Sequence, residues 1–174
     1  SDDLYHWTKH DLNPVSQRDP RFYERLGPVR RAYGQWRDPF LFDSGDRVYQ
    51  FVCARSRAPH RERRGAVGMA VSRDMTTWQV GPPLQVEPVA KELEVPQVYR
   101  IDGLYYLVFC APTSSLTTGF MQGFPGHPFR RGDYSMVGDS PSGPFEINGT
   151  GEILNEDAAV KPYASRLVRW DGRW

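Results

Sequence analysis

Apolar residues recur along this chain in short runs that are separated by polar turns. No long segment shows a sustained helical apolar period, and proline and glycine interrupt the pattern throughout. Short runs of this kind are typical of β-strands that are joined by tight turns. The pattern therefore predicts an all-β fold built from many short strands.

One apolar pattern is repeated. The run DPFLFDSGDRVYQFVCAR at residues 38–55 matches VPQVYRIDGLYYLVFCAP at residues 95–112. Each copy predicts a strand, a hairpin turn and a second strand, because the turns at 44–46 and 102–103 carry Gly and Asp, which tolerate a positive φ. A third copy begins in SRLVRWDGRW at residues 165–174. The repeat predicts self-similar structural units.

A second element repeats in register with the first. SDDLYHW at residues 1–7, SRDMTTW at 72–78 and GDSPSGPF at 138–145 each place a polar turn before an aromatic residue. Between the two elements, residues 66–72 and 133–138 are predicted as further strands. One unit then has four strands, which is the signature of a β-propeller.

The repeats divide the chain into blades of a single propeller domain. We predict a partial blade at residues 1–35, complete blades at 36–90 and 91–155, and a partial blade at 156–174. Propellers have roughly four to eight blades, so we expect only about half of the blades in this chain. Either a missing remainder of the propeller or self-association through the exposed blade edges would complete it.

Composition and charge narrow the possible partners. A hydrophobic fraction of 39% can form a core, and a formal net charge of +1 provides no general field for nucleic acid or acidic membranes. We therefore expect no nucleic-acid and no membrane partner. No membrane-spanning stretch and no signal peptide are found, and the compartment is left open with the cytoplasm slightly favoured.

Three other features have a structural interpretation. The cysteines Cys53 and Cys110 both lie inside apolar runs, so we expect buried free thiols rather than a bridge or a nucleophile. The basic cluster Arg61, Arg63 and Arg64 is interpreted as a solvated hairpin tip rather than a binding patch. The histidines lack the spacing of metal ligands except for His6 and His10, which would lie about 13 Å apart in a strand, so neither a metal nor a cofactor is expected.

The candidate chemistry lies in the stretch QWRDPFLF, where Arg37 and Asp38 precede a proline and an apolar strand. In the repeat alignment, Glu94 stands at the equivalent height in the next unit. Two neighbouring carboxylates beside a propeller axis suit glycosidic cleavage, in which one protonates the leaving oxygen and the other stabilises the developing cation. Two alternatives stay open. In the first, Asp38 has no catalytic role and simply pairs with Arg37 or caps a turn. In the second, Glu94 is one of several exposed acids, with Glu87 and Glu92.

A second Arg-Asp-Pro occurs at residues 18–20, but no strand and hairpin follow it. We interpret this copy as a loop between blades. Only the copy at Arg37 and Asp38 is therefore expected to carry chemistry.

These motifs resemble a known group of enzymes. WRDPFLF resembles the Arg-Asp-Pro motif of the furanosidase-type five-bladed propellers, glycoside hydrolase families 32 and 68. ELEVPQVYRIDGLYYLVF resembles their acid/base segment, and YSMVGDSPSGPFEINGTGEIL resembles the segment that follows it in family 68. The turns at residues 1–7 and 72–78 also resemble the recurrent blade turn of these propellers.

The resemblance implies roles for particular residues. Asp38 would be the transition-state stabiliser, Arg37 would hold the furanosyl ring beside Trp36, and Glu94 would be the general acid and then the general base. The repeat alignment also places Tyr163 where Glu94 stands in the preceding unit, at the start of another inner strand. Tyr163 is thus a candidate for substrate binding, with a core tyrosine as the alternative.

One departure from the family pattern concerns the nucleophile. The family's nucleophile is an aspartate in an Asn-Asp-Pro motif, whereas LNPV at residues 12–15 has no aspartate between Asn13 and Pro14. The nucleophile is therefore expected to be missing from this chain, which makes the chain either a fragment or an incompetent hydrolase.

The function implied is retaining cleavage or transfer of furanosides, and β-fructosides are favoured over other sugars. Carbohydrate is the expected substrate partner. A related family 43 enzyme that acts on arabinosides or xylosides is the nearest alternative. A non-catalytic propeller that binds carbohydrate or protein is an alternative of another class.

Overall fold

The computed structural model describes residues 1–25, 35–155 and 162–174. These residues form two antiparallel sheets of four strands, each arranged in chain order. The first sheet contains β1 (Trp36–Asp43), β2 (Val48–Arg55), β3 (Gly65–Ser72) and β4 (Gln79–Val80), and the second contains β5 (Glu94–Ile101), β6 (Leu104–Ala111), β7 (Gly132–Gly138) and β8 (Glu146–Asn155). Short 3₁₀ turns at Arg61–Arg63 and Thr113–Ser115 and one short helix, α1 (Thr118–Gln122), lie in the connecting loops.

The core lies between the two sheets. Residues 51–54 of β2 and 107–111 of β6 form continuous buried runs, so both faces of the sheet are covered along these segments. Buried side chains from both sheets form one cluster that includes Phe51, Val67, Val98, Leu107 and Phe109. Burial of this apolar surface holds the sheets face to face.

The hairpins form as the sequence predicts. Gly45 lies between β1 and β2 with a φ of 92°, and Asp102 and Gly103 join β5 to β6 with φ values of 50° and 90°. Two central residues with positive φ match the right-handed twist of the strands that they connect. Both hairpin turns lie at the same end of the sheets.

The repeated turn before tryptophan has the same hydrogen bonds in both copies. Asp3 accepts from the backbone N–H groups two and three residues on, both at 2.8 Å, and Asp74 does the same at 2.9 and 2.7 Å. The indole N–H of Trp7 and of Trp78 is donated to the carbonyl three residues before it, at 2.9 and 3.1 Å. These backbone bonds lower the pKa of both aspartates, that of Asp3 to about 2. The repeat therefore extends to side-chain contacts.

The third copy of the hairpin pattern is only partly formed. Asp171 and Gly172 make the expected turn with φ values of 48° and 75°, and Trp170 pairs with Arg173 across it. The strand expected before this turn is not formed, because residues 162–169 have no ladder partner among the described residues. This part of the prediction is wrong. However, Ala164 has a positive φ of 59°, and Val95 at the aligned position in β5 also has a positive φ, of 48°.

The segment before the first sheet packs against it through Tyr23, which is 1% exposed. The Tyr23 hydroxyl donates to the carbonyl of Gly81 at 2.9 Å. Asp19, in the first Arg-Asp-Pro, accepts from both the backbone and the guanidinium of Arg21. Asp19 therefore closes a local turn in a loop. Within the described ranges, no helix is long and apolar enough to cross a bilayer.

Candidate active site

The inner strands of both sheets begin with the same irregularity. A register shift follows Arg37 in β1 and Glu94 in β5. The next residues, Asp38 and Val95, have φ values of 59° and 48°. Positive φ is uncommon for residues other than glycine and is a clear outlier for a β-branched residue. A bulge of this kind re-aims side chains, which explains how a charged pair and a proline can open a strand.

Arg37 joins the two predicted site carboxylates. Its Nη1 donates to the carboxylate of Asp38, and its Nη2 donates to Glu94 Oε1 at 2.6 Å. The backbone N–H of Val95 also donates to the Asp38 carboxylate at 3.3 Å. Because one guanidinium contacts both groups, the carboxylates of Asp38 and Glu94 lie on either side of a single side chain. The structure thus brings together Arg37, Asp38 and Glu94 from neighbouring sheets.

The cluster is open to solvent on one side. The side chains of Arg37, Asp38 and Glu94 are 37%, 26% and 19% exposed. Partial burial strengthens the hydrogen bonds among these groups, and the exposed remainder leaves room for a polar ligand.

Glu92 belongs to the same cluster, although the sequence indicated only an exposed acid. Its carboxylate lies 3.3 Å from Arg37 Nη2 and 3.9 Å from Arg55 Nη1. Arg55 in turn pairs with Glu24 at 3.0 Å. The spacing of Glu92 and Glu94 in the segment ELE could have indicated a shared face, since side chains two residues apart in an extended segment lie on one side.

Electrostatics favour a permanently charged Arg37. Burial opposes the charged form, but the hydrogen bond to Glu94 and the negative charges of Asp38 and Glu94 outweigh it, so the pKa of Arg37 lies above its ordinary value. Burial also raises the pKa of the Cys53 thiol, which lies behind the cluster. A neutral thiol at this position can pack against the guanidinium without adding a negative charge.

The aligned cysteine of the second sheet supports Glu94. The Cys110 thiol donates to the backbone carbonyl of Glu94 at 3.5 Å and accepts from the backbone N–H of Ala164. Burial raises the pKa of Cys110 to about 12. Both cysteines are free and buried, which confirms the prediction of buried free thiols.

The structure does not bring Trp36 to the carboxylates. Adjacent residues of a strand point to opposite faces, so the side chain of Trp36 lies opposite that of Arg37. Its ring packs edge-on against Tyr23, with centroids 5.0 Å apart, and against the backbone of Gly68. Trp36 therefore contributes to a small apolar cluster with Val52, and its contact with substrate stays a prediction.

Tyr163 lies beside the second sheet without being part of a strand. The guanidinium of Arg131 stacks over its ring at 4.1 Å from the centroid. The next residue, Ala164, reaches the Cys110 thiol and so approaches the start of β5 near Glu94. The structure places Tyr163 in the neighbourhood of the cluster but shows no contact with Asp38 or Glu94 among the described residues.

No metal chemistry is indicated by the side chains at this site. Within residues 1–25, 35–155 and 162–174, no group of three or more His, Cys, Asp or Glu side chains is arranged to hold a metal ion. His6 instead pairs with Asp3, at 2.5 Å from Nδ1. The charged groups in contact at the cluster are the carboxylates of Asp38, Glu92 and Glu94 and the guanidinium of Arg37.

Comparison with known proteins gives no match by family model and none among curated proteins. Solved structures do match. Inulosucrase from Halalkalicoccus jeotgali bound to kestose has a TM-score of 0.66 and 28% identity, over 83% of this chain and 38% of that one. The β-fructofuranosidase catalytic domain from Microbacterium saccharophilum K-1 has a TM-score of 0.62 and 20% identity, over 80% and 34%. Levansucrase from Gluconacetobacter diazotrophicus has a TM-score of 0.57 and 17% identity, over 70% and 31%.

These matches define the class of fold as part of a β-propeller, which confirms the predicted all-β fold class. The chain resembles the five-bladed propeller enzymes of glycoside hydrolase families 32 and 68, as its motifs predicted. The chain spans less than two fifths of the length of the structures named here. The matches include both families and so do not select family 32. They do not favour a family 43 enzyme or a non-catalytic propeller.

Proposed function

We propose that this chain forms part of a glycosidase that acts on furanosides, above all β-fructosides, by a retaining carboxylate mechanism. The observation that carries the proposal is the shared guanidinium. Arg37 holds the carboxylates of Asp38 and Glu94, from two neighbouring sheets, in one partly exposed cluster. The likeness to inulosucrase and β-fructofuranosidase supports the sugar class.

Each residue of the cluster has a role in the proposed reaction. Glu94 protonates the leaving oxygen and then activates the water or sugar acceptor. Asp38 stabilises the oxocarbenium-like transition state by binding sugar hydroxyls. Arg37 keeps both carboxylates in place and donates to the sugar ring. Trp36 and Tyr163 are proposed to support substrate binding, Trp36 through its packing behind Arg37 and Tyr163 by stacking or a hydrogen bond.

The proposal requires a nucleophile that is not assigned within this chain. The segment at Asn13 and Pro14 lacks the aspartate of the family motif. We propose that further propeller blades, joined to this chain or supplied by a second copy at the exposed sheet edges, bring the nucleophile to the cluster. We call this chain together with those blades the full-length protein. The same proposal includes membership of family 32. It also includes either hydrolysis of the glycoside or transfer of the sugar to an acceptor.

The test is a substrate panel with the full-length protein. We expect turnover of β-fructosides such as sucrose, and little or none of arabinosides and xylosides. Replacement of Asp38 by Asn should lower kcat/KM by more than about 100-fold, because the lost charge acts in the transition state. Residues 1–174 alone should turn over none of these substrates. Robust turnover by the isolated chain would contradict the missing nucleophile, and preference for arabinosides would favour family 43 chemistry.

A further inference from the structure

A pocket of about 490 Å³ lies between residues 18–25, which precede the first sheet, and the loop between β2 and β3. None of its lining residues belongs to the carboxylate cluster, so its ligand does not depend on the proposed function. The charged residues of the lining are four arginines and one carboxylate, namely Arg18, Arg25, Arg57, Arg64 and Glu24.

The charges of this lining do not cancel. The guanidinium groups exceed the single carboxylate by three positive charges. The carboxylate of Glu24 is also shared, since it pairs with Arg64 at 2.5 Å and with Arg55, behind the pocket, at 3.0 Å. The nearby carboxylate of Asp19 is already paired with Arg21 at 2.6 Å. The pocket is therefore a local centre of positive charge.

Two of the arginines keep most of their hydrogen-bond donors open. Arg18 Nη1 donates to the carbonyl of Tyr23 at 3.5 Å, and Arg57 Nη1 donates to the carbonyl of Pro20 at 2.9 Å. A guanidinium has five N–H donors, and neither side chain has a carboxylate partner among the described residues. A backbone carbonyl orients a guanidinium without cancelling its charge, so both side chains are held in place and are still available to an anion.

Arg64 has a structural role in the pocket wall. It donates to Glu24 and to the backbone carbonyls of Ala58 and Pro59, at 2.7 and 3.2 Å. These bonds hold the loop between β2 and β3 against the segment that precedes the first sheet. The adjacent Arg61 and Arg63 are exposed. The basic cluster is therefore only in part a solvated tip.

The chemistry of the lining favours a phosphate group. The planar N–H fork of a guanidinium matches phosphate oxygens in a bidentate fashion. A neutral ligand would leave the three excess positive charges of the pocket uncompensated. The formal net charge of the whole chain is only +1, so the positive field is local, and it suits one phosphate group rather than a long polyanion.

We propose that this pocket binds phosphate, either as the free inorganic ion or as the terminal group of a small phosphomonoester. Arg18 and Arg57 donate to the phosphate oxygens, and Arg64 holds the wall and adds positive charge. This binding goes beyond the proposed function, because the cleavage of a neutral sugar uses none of these groups.

The test is calorimetric titration of the full-length protein in a phosphate-free buffer, with sodium phosphate and, separately, with glycerol 3-phosphate. The variants are Arg18→Ala and Arg57→Ala. The matched control is Arg73→Ala, an exposed arginine in the turn between β3 and β4. We expect each pocket variant to weaken binding by about tenfold or more, because hydrogen bonds between charged groups are lost. The control should bind as the wild type does.

Thermal melting provides a second measurement. Phosphate should raise the melting temperature of the wild type and of the Arg73 control but not that of Arg57→Ala, because a ligand stabilises the folded state that binds it. Binding of both probes identifies the phosphate group itself as the ligand, and binding of one probe alone identifies its source. Absence of binding of both probes to the wild type, or equal weakening in Arg57→Ala and Arg73→Ala, would overturn the proposal.

Discussion

At the scale of single residues, Arg37 explains why a charged pair opens a strand. A side chain that made a single contact would bind only one of the two carboxylates. The planar guanidinium has several N–H donors and can bind both at once. Its contacts with Asp38 and Glu94 connect the first strands of two sheets. This copy of the Arg-Asp-Pro motif therefore acts across two sheets, whereas Asp19 in the other copy accepts hydrogen bonds from Arg21 in a local turn.

Tyr163 offers a prediction at this scale. Tyr163→Phe keeps the ring that stacks on Arg131 but removes the hydroxyl. If the hydroxyl donates to substrate, kcat/KM of the full-length protein should fall about 2-fold to 13-fold, since an ordinary hydrogen bond contributes roughly 0.5 to 1.5 kcal/mol. The melting temperature should stay within a degree or two of the wild type. A Phe variant with full activity, together with a Tyr163→Ala variant that mainly lowers the melting temperature, would instead identify a core tyrosine.

The buried thiols give a pH-dependent prediction. Burial raises the pKa of Cys110 to about 12 and that of Cys53 above its ordinary value, and only the thiolate is strongly nucleophilic. Iodoacetamide at pH 8 should therefore label the folded protein more than about 100-fold more slowly than the protein in denaturant.

The same shifts affect stability. The unfolded thiols ionise above about pH 8.5 whereas the folded ones stay neutral, so the free energy of unfolding should fall as the pH rises past that value. In the labelling experiment described above, rapid reaction of iodoacetamide with both cysteines of the folded protein would contradict their burial.

At the scale of elements, the two sheets begin with the same bulge, and the apolar cluster behind the first bulge is tightly packed. A Cβ at Gly68 in β3 would lie 2.6 Å from Trp36 Cζ3 and 2.8 Å from Val52 Cγ2. We expect Gly68→Ala to destabilise the full-length protein by about 1 to 3 kcal/mol, as overpacking usually does. Gly119→Ala in α1 is the control, since a Cβ there meets nothing within 4 Å. Thermal melting distinguishes them, and a neutral Gly68→Ala would show that Trp36 can move aside.

Much of this element structure could be predicted from the sequence. Alternating apolar runs and Gly-Asp turns determine strands and hairpins locally, so the hairpins at Gly45 and Gly103 were predictable. The strand expected before Asp171 did not form, because a strand also needs a ladder partner, which a local pattern cannot supply.

At the scale of the whole molecule, the repeat predicted that Asp38 and Glu94 lie at the start of inner strands. In the structure, the side chain of Arg37 contacts both carboxylates. The contact of Glu92 with Arg37 and the position of Trp36 against Tyr23 could not be predicted in this way. Both depend on how two sheets and a preceding segment pack together, and this long-range packing has no signal in a single run of residues.

The likeness to the solved structures named above covers less than two fifths of the length of each of them. The proposed reaction assigns an acid and a stabilising carboxylate to these two sheets, and it needs a third carboxylate from elsewhere in the propeller. In the proposed assembly with further blades, the exposed aromatic residues Trp7 and Trp170 are candidates for burial.

The most direct test of Glu94 as the general acid is to measure, in the full-length protein, how the loss of kcat/KM caused by Glu94→Gln depends on the leaving group of the substrate. The substitution keeps shape but removes the proton donor. We expect kcat/KM for sucrose to fall by about 10² to 10⁴-fold, with a much smaller loss for an aryl fructoside whose leaving group needs no protonation. The exposed Glu146→Gln is the control and should leave both rates unchanged. Equal losses on the two substrates, or no loss on sucrose, would contradict the assignment of Glu94 as the general acid.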